Sequence, residues 1–320
     1  MSKEINTYQA DIGFQTTQDD EIDLRELFSV IWQGKLLIIA ITAVFAIGSV
    51  VFAILQPNIY KSEALLAPAS EEQGGGGLAA LAGQFGGLAS MAGINLGGGG
   101  GVDKTQMAIE VMKSRQFASD FIQQHQILPE LMAAEKWNMA DNTISYNEAI
   151  FDASAKKWVR EVKAPFKPEP SMQEAYKKFS KVISVDSAKD TGMVTVSVEH
   201  LSPYIAQQWV TWLVEDINKV MKERDVAEAN RSSDFLNKQI AQTNVADIRQ
   251  VLYKLIEEQA KTIMFANVRD EYVFKTIDPA LVPEEKAKPK RALICVLGTM
   301  LGGMLGVMFV FIRHFVRKED

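Results

Sequence analysis

Cysteine is almost missing from this chain of 320 residues. Cys295 is the only one, so no intrachain disulfide can form and a disulfide-stapled secreted fold is excluded. Histidine is scarce as well. His125, His200 and His314 stand far apart, without a cysteine partner or an H-E-x-x-H spacing, and they predict no metal site. The long central stretch has no G-x-S-x-G elbow for a nucleophilic serine. Neither charge dominates: 34 basic residues face 40 acidic ones, a net of −6, which does not suggest nucleic acid. The expectation is a protein without catalytic residues, metal or cofactor.

Two segments lack charge altogether. Leu36 to Leu55 and Ala292 to Ile312 are each about 20 residues long, enough at about 1.5 Å per residue for a helix to cross a hydrocarbon layer of roughly 30 Å. The first run follows 35 residues in which Lys3, Arg25 and Lys35 face seven acids, and only QPNIY comes after it. It is longer than a signal core and reads as an uncleaved anchor. Two spans put both ends of the chain on one side and residues 56–291 on the other. Flanking cations do not orient the pair. Arg25, Lys35, Arg313, Arg317 and Lys318 on one side nearly balance Lys61, Lys275, Lys286, Lys288, Lys290 and Arg291 on the other.

Residues 1–35 hold a juxtamembrane helix, with apolar Leu24, Leu27, Phe28, Ile31 and Trp32 at helical spacing. Asp23 and Glu26 suit a capping box, and Trp32 and Lys35 suit an interfacial ring and a snorkelling ammonium. After the first span, YKSEALLAP reads as a strand. The glycine-rich segment 74–101 lacks the Gly-Lys-Ser/Thr ending of a phosphate loop, since Gly101 runs into Val102-Asp103-Lys104-Thr105, so it reads as a flexible flap with an apolar centre. Ser114 caps one of two helical pieces between Thr105 and Gln126, and Ser171 with Glu174 forms a capping box. ISV and VTVSVEH form a hairpin with Val194, Val196 and Val198 on its buried face. Asp186 and Asp190 beside it suit turn chemistry better than a cation site. Ser202-Pro203 opens the dominant helix, expected to run unbroken to about residue 265 because Tyr204 to Phe274 contain no proline or glycine. Trp209 and Trp212 on it could stack on sugars, but their spacing among Ile205, Leu213 and Ile217 favours core.

YVFKTID reads as a last strand. Pro279, Pro283 and Pro289 then predict a stiff extended strut that delivers Lys288, Lys290 and Arg291 to lipid phosphates at the membrane edge. Inside the second span Gly298, Gly302 and Gly306 recur every four residues on one face, a spacing that lets helix backbones approach closely in lipid.

In order and spacing, EIDLRELFSVIWQGK, QPNIYKSEALLAP, SRQF, KDTGMVTVSVEHLSPYIAQQWVTWLVEDIN and the proline segment resemble the Wzz-type chain-length determinant proteins, or polysaccharide co-polymerases, of the class without a kinase domain. The resemblance implies a membrane protein with two transmembrane helices (36–55 and 292–312) in the inner membrane of a Gram-negative bacterium. Residues 1–35 and the tail 313–320 would be cytoplasmic. Residues 56–291 would form a periplasmic α+β domain with a membrane-proximal α/β base and a long projecting helix. It implies a ring-shaped homo-oligomer of about eight subunits, with a Wzy-type polymerase, lipid-linked polysaccharide and membrane lipids as partners. Such a ring sets the modal length of lipopolysaccharide O-antigen without catalysis. By analogy the three glycines and the prolines carry intramembrane and membrane-edge contacts. Alternatives are co-polymerases for enterobacterial common antigen, capsule or exopolysaccharide, and a two-span periplasmic sensor, for which the eight residues after the second span offer little output.

Overall fold

The computed structural model describes residues 24–69 and 104–319. The glycine-rich segment 74–101 and Asp23 of the capping box lie outside the described residues. The chain divides into two compact units.

The first unit holds three helices: α1 (Leu24–Gln33), α2 (Lys35–Leu55) and α9 (Arg291–Glu319). Helices α2 and α9 are both long and apolar enough to cross a membrane. Many of their large side chains are largely uncovered by protein: Leu36, Val44, Ile47, Leu55, Leu297 and Met300 are all more than half exposed. Surfaces this apolar on nearly every side call for a hydrocarbon solvent.

The second unit, residues 57–289, is α+β. Its centre is an antiparallel sheet in the order β6 (Ile183–Ser187), β7 (Val194–His200), β1 (Tyr60–Pro68), β8 (Phe274–Asp278). The register Tyr60↔His200, Ser62↔Val198, Ala64↔Val196, Leu66↔Val194 gathers eight buried residues onto one face, the period-two consequence of the strand pleat. Ser197, on the other face between Glu63 and Ser184, is buried as well. Over the first face lie α3 (Lys104–Met112), α4 (Arg115–Gln124), α5 (Leu128–Ala133), α6 (Met172–Val182) and the first turns of α7 (Pro203–Gln242). Ser114 accepts the Phe117 N–H, Ser171 and Glu174 close their capping box, and Ser202 accepts the Ile205 N–H ahead of Pro203. These caps satisfy N–H groups that a helix start leaves unpaired. Two small hairpins stand apart from the sheet: β2 (Ala134–Asn138) with β3 (Thr143–Tyr146), and β4 (Phe151–Asp152) with β5 (Lys157–Trp158).

The expected unbroken helix to residue 265 is corrected. Helix α7 ends at Gln242 after 40 residues, roughly 60 Å. Thr243 and Val245 are extended (ψ 130° and 119°), and α8 (Ala246–Val268) folds back along α7. Leu236 and Ile240 thereby meet Ile248, Val251, Leu252, Leu255 and Ile256. Burying the four most enclosed of these side chains is worth roughly 6 kcal/mol or more. Interrupting the helix for three residues loses backbone bonds worth roughly 1 kcal/mol each. Packing therefore outweighs continuity, and no proline or glycine is required. The break also explains why the polar stretch after Lys222 tolerates a long helix: it is half of a two-helix hairpin, with Ala229 on α7 and Ala266 on α8 both buried.

Candidate functional site

The described residues hold no cluster of three or more His, Cys, Asp or Glu able to hold a metal ion. Two places of close contact stand out as candidate sites.

The first is the seam between α2 and α9. Ser49, Phe45 and Ile38 lie opposite Gly298, Gly302 and Gly306 in turn. A Cβ added at Gly298 would overlap the Ser49 side chain. At Gly302 it would sit 2.5 Å from the Phe45 Cβ and 3.2 Å from the Thr42 backbone, and at Gly306 3.2 Å from the Ile38 backbone. Gly303 and Gly48, one turn or less from this line, have ordinary contact or open space. The spacing of four thus runs along one helical face, and the partner of that face is the other apolar helix of the same chain. Gly34, between α1 and α2, makes a fourth close approach: a Cβ there would meet Val310 Cγ1 at 2.5 Å. Trp32 stacks on Phe28 and lies under the Lys35 ammonium, 4.4 Å from the ring centre, a cation–π geometry. Arg291 Nε donates to the Ala53 carbonyl at 3.1 Å, within one of the last carbonyls of α2.

The second site is the end of the body where both chain segments leave it. The segment from Pro279 through Pro283 to Pro289 is a strap and not a free strut. Ser62 Oγ donates to the Leu281 carbonyl (2.7 Å) and Gln207 Nε2 to the Ala280 carbonyl (3.3 Å). Ile59 and Lys288 then exchange backbone hydrogen bonds. The Lys288 ammonium, expected to face lipid phosphate, sits 2.6 Å from Glu199; Lys290 is exposed. Beside the strap Tyr60, Trp137 and Tyr204 form a row of rings with centres 5.4 and 6.4 Å apart. Trp209 is wholly buried, while Trp212 stacks at 4.1 Å on His125, whose Nε2 is 2.8 Å from Asp216.

The electrostatics of the body are structural. Arg160 grips Glu174 through both oxygens and also donates to the Lys167 and Pro168 carbonyls. The guanidinium bonds hold the Glu174 carboxyl down at about 2. Burial and the neighbouring Glu130 push the Tyr146 phenol up to about 12. His200 is enclosed between sheet and helix. Its Nδ1 accepts the Ser202 N–H at 3.1 Å and its Nε2 faces the Glu130 carbonyl at 3.3 Å, which makes it a neutral imidazole with the proton on Nε2. Burial pulls its pKa down to about 4. The unfolded chain would take up a proton near 6.5 and the folded chain only near 4, so stability present above pH 6.5 is lost as pH falls through that window. The expected loss at acid pH is about 3 kcal/mol. Urea unfolding of the protein between pH 7 and 4 measures it, and His200→Gln should flatten the profile.

Sequence reasoning missed Arg160, Gly34, the ring row and Asn218. The last was detectable, as a lone amide on the apolar face of α7 between Val214 and Met221.

The chain matches the chain length determinant protein family over residues 20–125, and a second family, the G-rich domain on putative tyrosine kinase, over residues 241–315. No curated protein matches it. Among solved structures it is similar to a full-length bacterial polysaccharide co-polymerase at 14% identity, covering 93% of this chain and 99% of that one with a TM-score of 0.38. A fragment of the polysaccharide co-polymerase WzzB from Salmonella Typhimurium matches at 14% identity, covering 72% and 100%, with a TM-score of 0.26.

Proposed function

We propose that this chain, whose residues 20–125 belong to the chain length determinant family, sets the modal length of a lipid-linked polysaccharide, first of all lipopolysaccharide O-antigen. The family match carries the reading. Helices α2 and α9 anchor the protein in the inner membrane, with both termini cytoplasmic and residues 57–289 periplasmic. Copies assemble into a closed ring beside a Wzy-type polymerase, which performs the chemistry, while the ring governs how far the polymer grows. The site geometry is consistent with this division of labour. The glycine seam joins the two anchors, the strap ties the body to its exit, and the perturbed groups Glu174, Tyr146 and His200 are occupied in structural bonds.

A second reading keeps the role and changes the polymer to enterobacterial common antigen, capsule or exopolysaccharide. A separate family, the G-rich domain on putative tyrosine kinase, matches residues 241–315. Those residues form the end of α7, α8, β8, the strap and most of α9, and no kinase activity is proposed for them. Deleting the gene and complementing it tests both readings. A shift from a clustered to a stochastic ladder of lipopolysaccharide lengths supports the first. An unchanged ladder with altered length of another surface polymer supports the second. No change in any polymer rejects both.

A further inference from the structure

We infer that β6 and the groove beside it dock an extended, acidic segment of a partner protein, which adds a strand to the edge of the sheet.

The edge comes first. Strand β6 stands at the end of the order β6-β7-β1-β8, and no described strand pairs with its outer side. Every second residue of such a strand aims its N–H and C=O away from the sheet, ready for another chain. The opposite edge differs: the Thr276 N–H of β8 donates to the Glu271 carboxylate at 2.9 Å, so the chain blunts that strand itself.

The groove comes second. Ile183, Ser184, Val185 and Asp186 all line a cavity of about 370 Å³. Successive strand side chains point to opposite faces, so four consecutive residues share one cavity only where it follows the strand's edge. Helix α6 forms the facing wall, and Phe179 with Val185 and Met112, all buried, gives an apolar floor. The wall is fixed in place. The Tyr176 hydroxyl donates to the Lys113 carbonyl at 3.0 Å, and Arg115 lies over the Tyr176 ring at 5.8 Å. A strand edge beside a helix with an apolar floor is the geometry of strand addition: backbone bonds supply affinity and alternate side chains fill the groove. A polysaccharide has no regularly spaced amides to match that edge.

Charge selects the occupant. Lys113 lines the groove, and Arg115, Lys177, Lys178 and Lys181 stand exposed on the neighbouring turns of α4 and α6. Glu174, the one acid of α6, is taken by Arg160. Of the remaining acids nearby, Glu110 accepts from Gln106 and Asp186 from the Ser184 hydroxyl. Cations therefore prevail around this groove in a chain whose net charge is −6. They act over roughly 8–10 Å, which does not require each of them to touch the ligand.

The test titrates the detergent-solubilised full chain into a fluorescein-labelled peptide of alternating glutamate and valine, followed by anisotropy, with amide exchange read in parallel. The peptide should bind and slow exchange across Ile183–Ser187 while leaving Phe274–Asp278 unchanged. Lys113→Glu with Lys177→Glu should weaken binding about tenfold, since the reversed charges repel the ligand. A peptide with alternate amides N-methylated keeps its charge but cannot form the ladder, and should bind about tenfold more weakly or not at all. Equal binding of the N-methylated peptide, or of a lysine–valine counterpart, overturns the inference. So does the absence of binding at about 1 mM peptide, a concentration at which even weak association of about 4 kcal/mol is visible. Dextran sulfate that competes while the β6 amides stay unprotected would make the surface a general polyanion site and overturn strand addition. Protection of β6 that rises with protein concentration in the absence of peptide would assign the edge to a second copy and overturn the acidic partner.

Discussion

Asn218→Leu is expected to destabilise the body by about 3–6 kcal/mol, a large part of the roughly 5–15 kcal/mol that holds a domain folded. Asn218 is buried on α7 and all its hydrogen-bonding capacity is used. Its Oδ1 accepts the Val273 and Phe274 N–H groups at 2.8 and 2.9 Å, and its Nδ2 donates to the Val214 and Phe274 carbonyls at 3.1 Å each. Leucine fills the volume but strands two buried N–H groups and the Phe274 carbonyl, each costing about 1–3 kcal/mol. These groups lie where the chain returning from α8 enters β8, so their loss frees the strand that leads into the strap. Chemical denaturation of the detergent-solubilised protein measures the change. Asn218→Asp separates hydrogen bonding from shape. It keeps both acceptor roles but aims a carboxylate at two carbonyls, which raises its folded pKa above the unfolded value. Its deficit relative to the parent at the same pH should then shrink as pH falls, because the protonated acid can donate. A Leu variant as stable as the parent would mean that water or relaxation replaces the amide.

Gly302→Leu is expected to separate α2 from α9. At this position even a Cβ would lie 2.5 Å from that of Phe45 and 3.2 Å from the Thr42 backbone. A rotamer change does not move backbone, so the helices must part by a few ångströms and lose contacts along the Gly298–Gly306 line. Gly306→Leu should behave alike, since all three nearest Ile38 atoms lie at 3.2–3.3 Å and two of them are backbone. Gly303→Ala and Gly48→Ala should be neutral or slightly stabilising, because neither meets a close neighbour and alanine is the better helix former. Spin labels at exposed Ile47 and Leu301, in a Cys295→Ser background, report the separation as a lengthened distance. In cells the same variants should broaden the polymer length distribution if the paired anchors fix how copies assemble. Unchanged distances in Gly302→Leu would show that the seam has room the glycines do not use.

Much of the architecture was legible because it is written in local patterns. The alternation of YKSEALLAP and VTVSVEH dictates strands with one oily face. Ser114, Ser171 and Ser202-Pro203 announce helix starts because their side chains bond the N–H groups three residues on. The two uncharged runs announce a hydrocarbon solvent by length alone. The α7–α8 break was not legible: Thr243-Asn244-Val245 carry only a weak helix-breaking preference, and the fold-back is driven by contacts between residues far apart in sequence. The Trp137 hairpin was ambiguous for the same reason, since its anchor is Tyr60, more than seventy residues earlier. Lys288 read as a lipid-facing cation because Glu199, its partner, is distant in sequence.

By itself, then, the amino-acid order determined the two membrane-length helices, the α+β body between them, the caps, and a glycine line waiting for a neighbour. Tertiary structure alone decided which surface that line meets, where the long helix turns back, how the proline segment is strapped down, and which amide closes the core. Propensity and periodicity act over a few residues, but the energies that settle these choices come from burying groups that only the folded chain brings together.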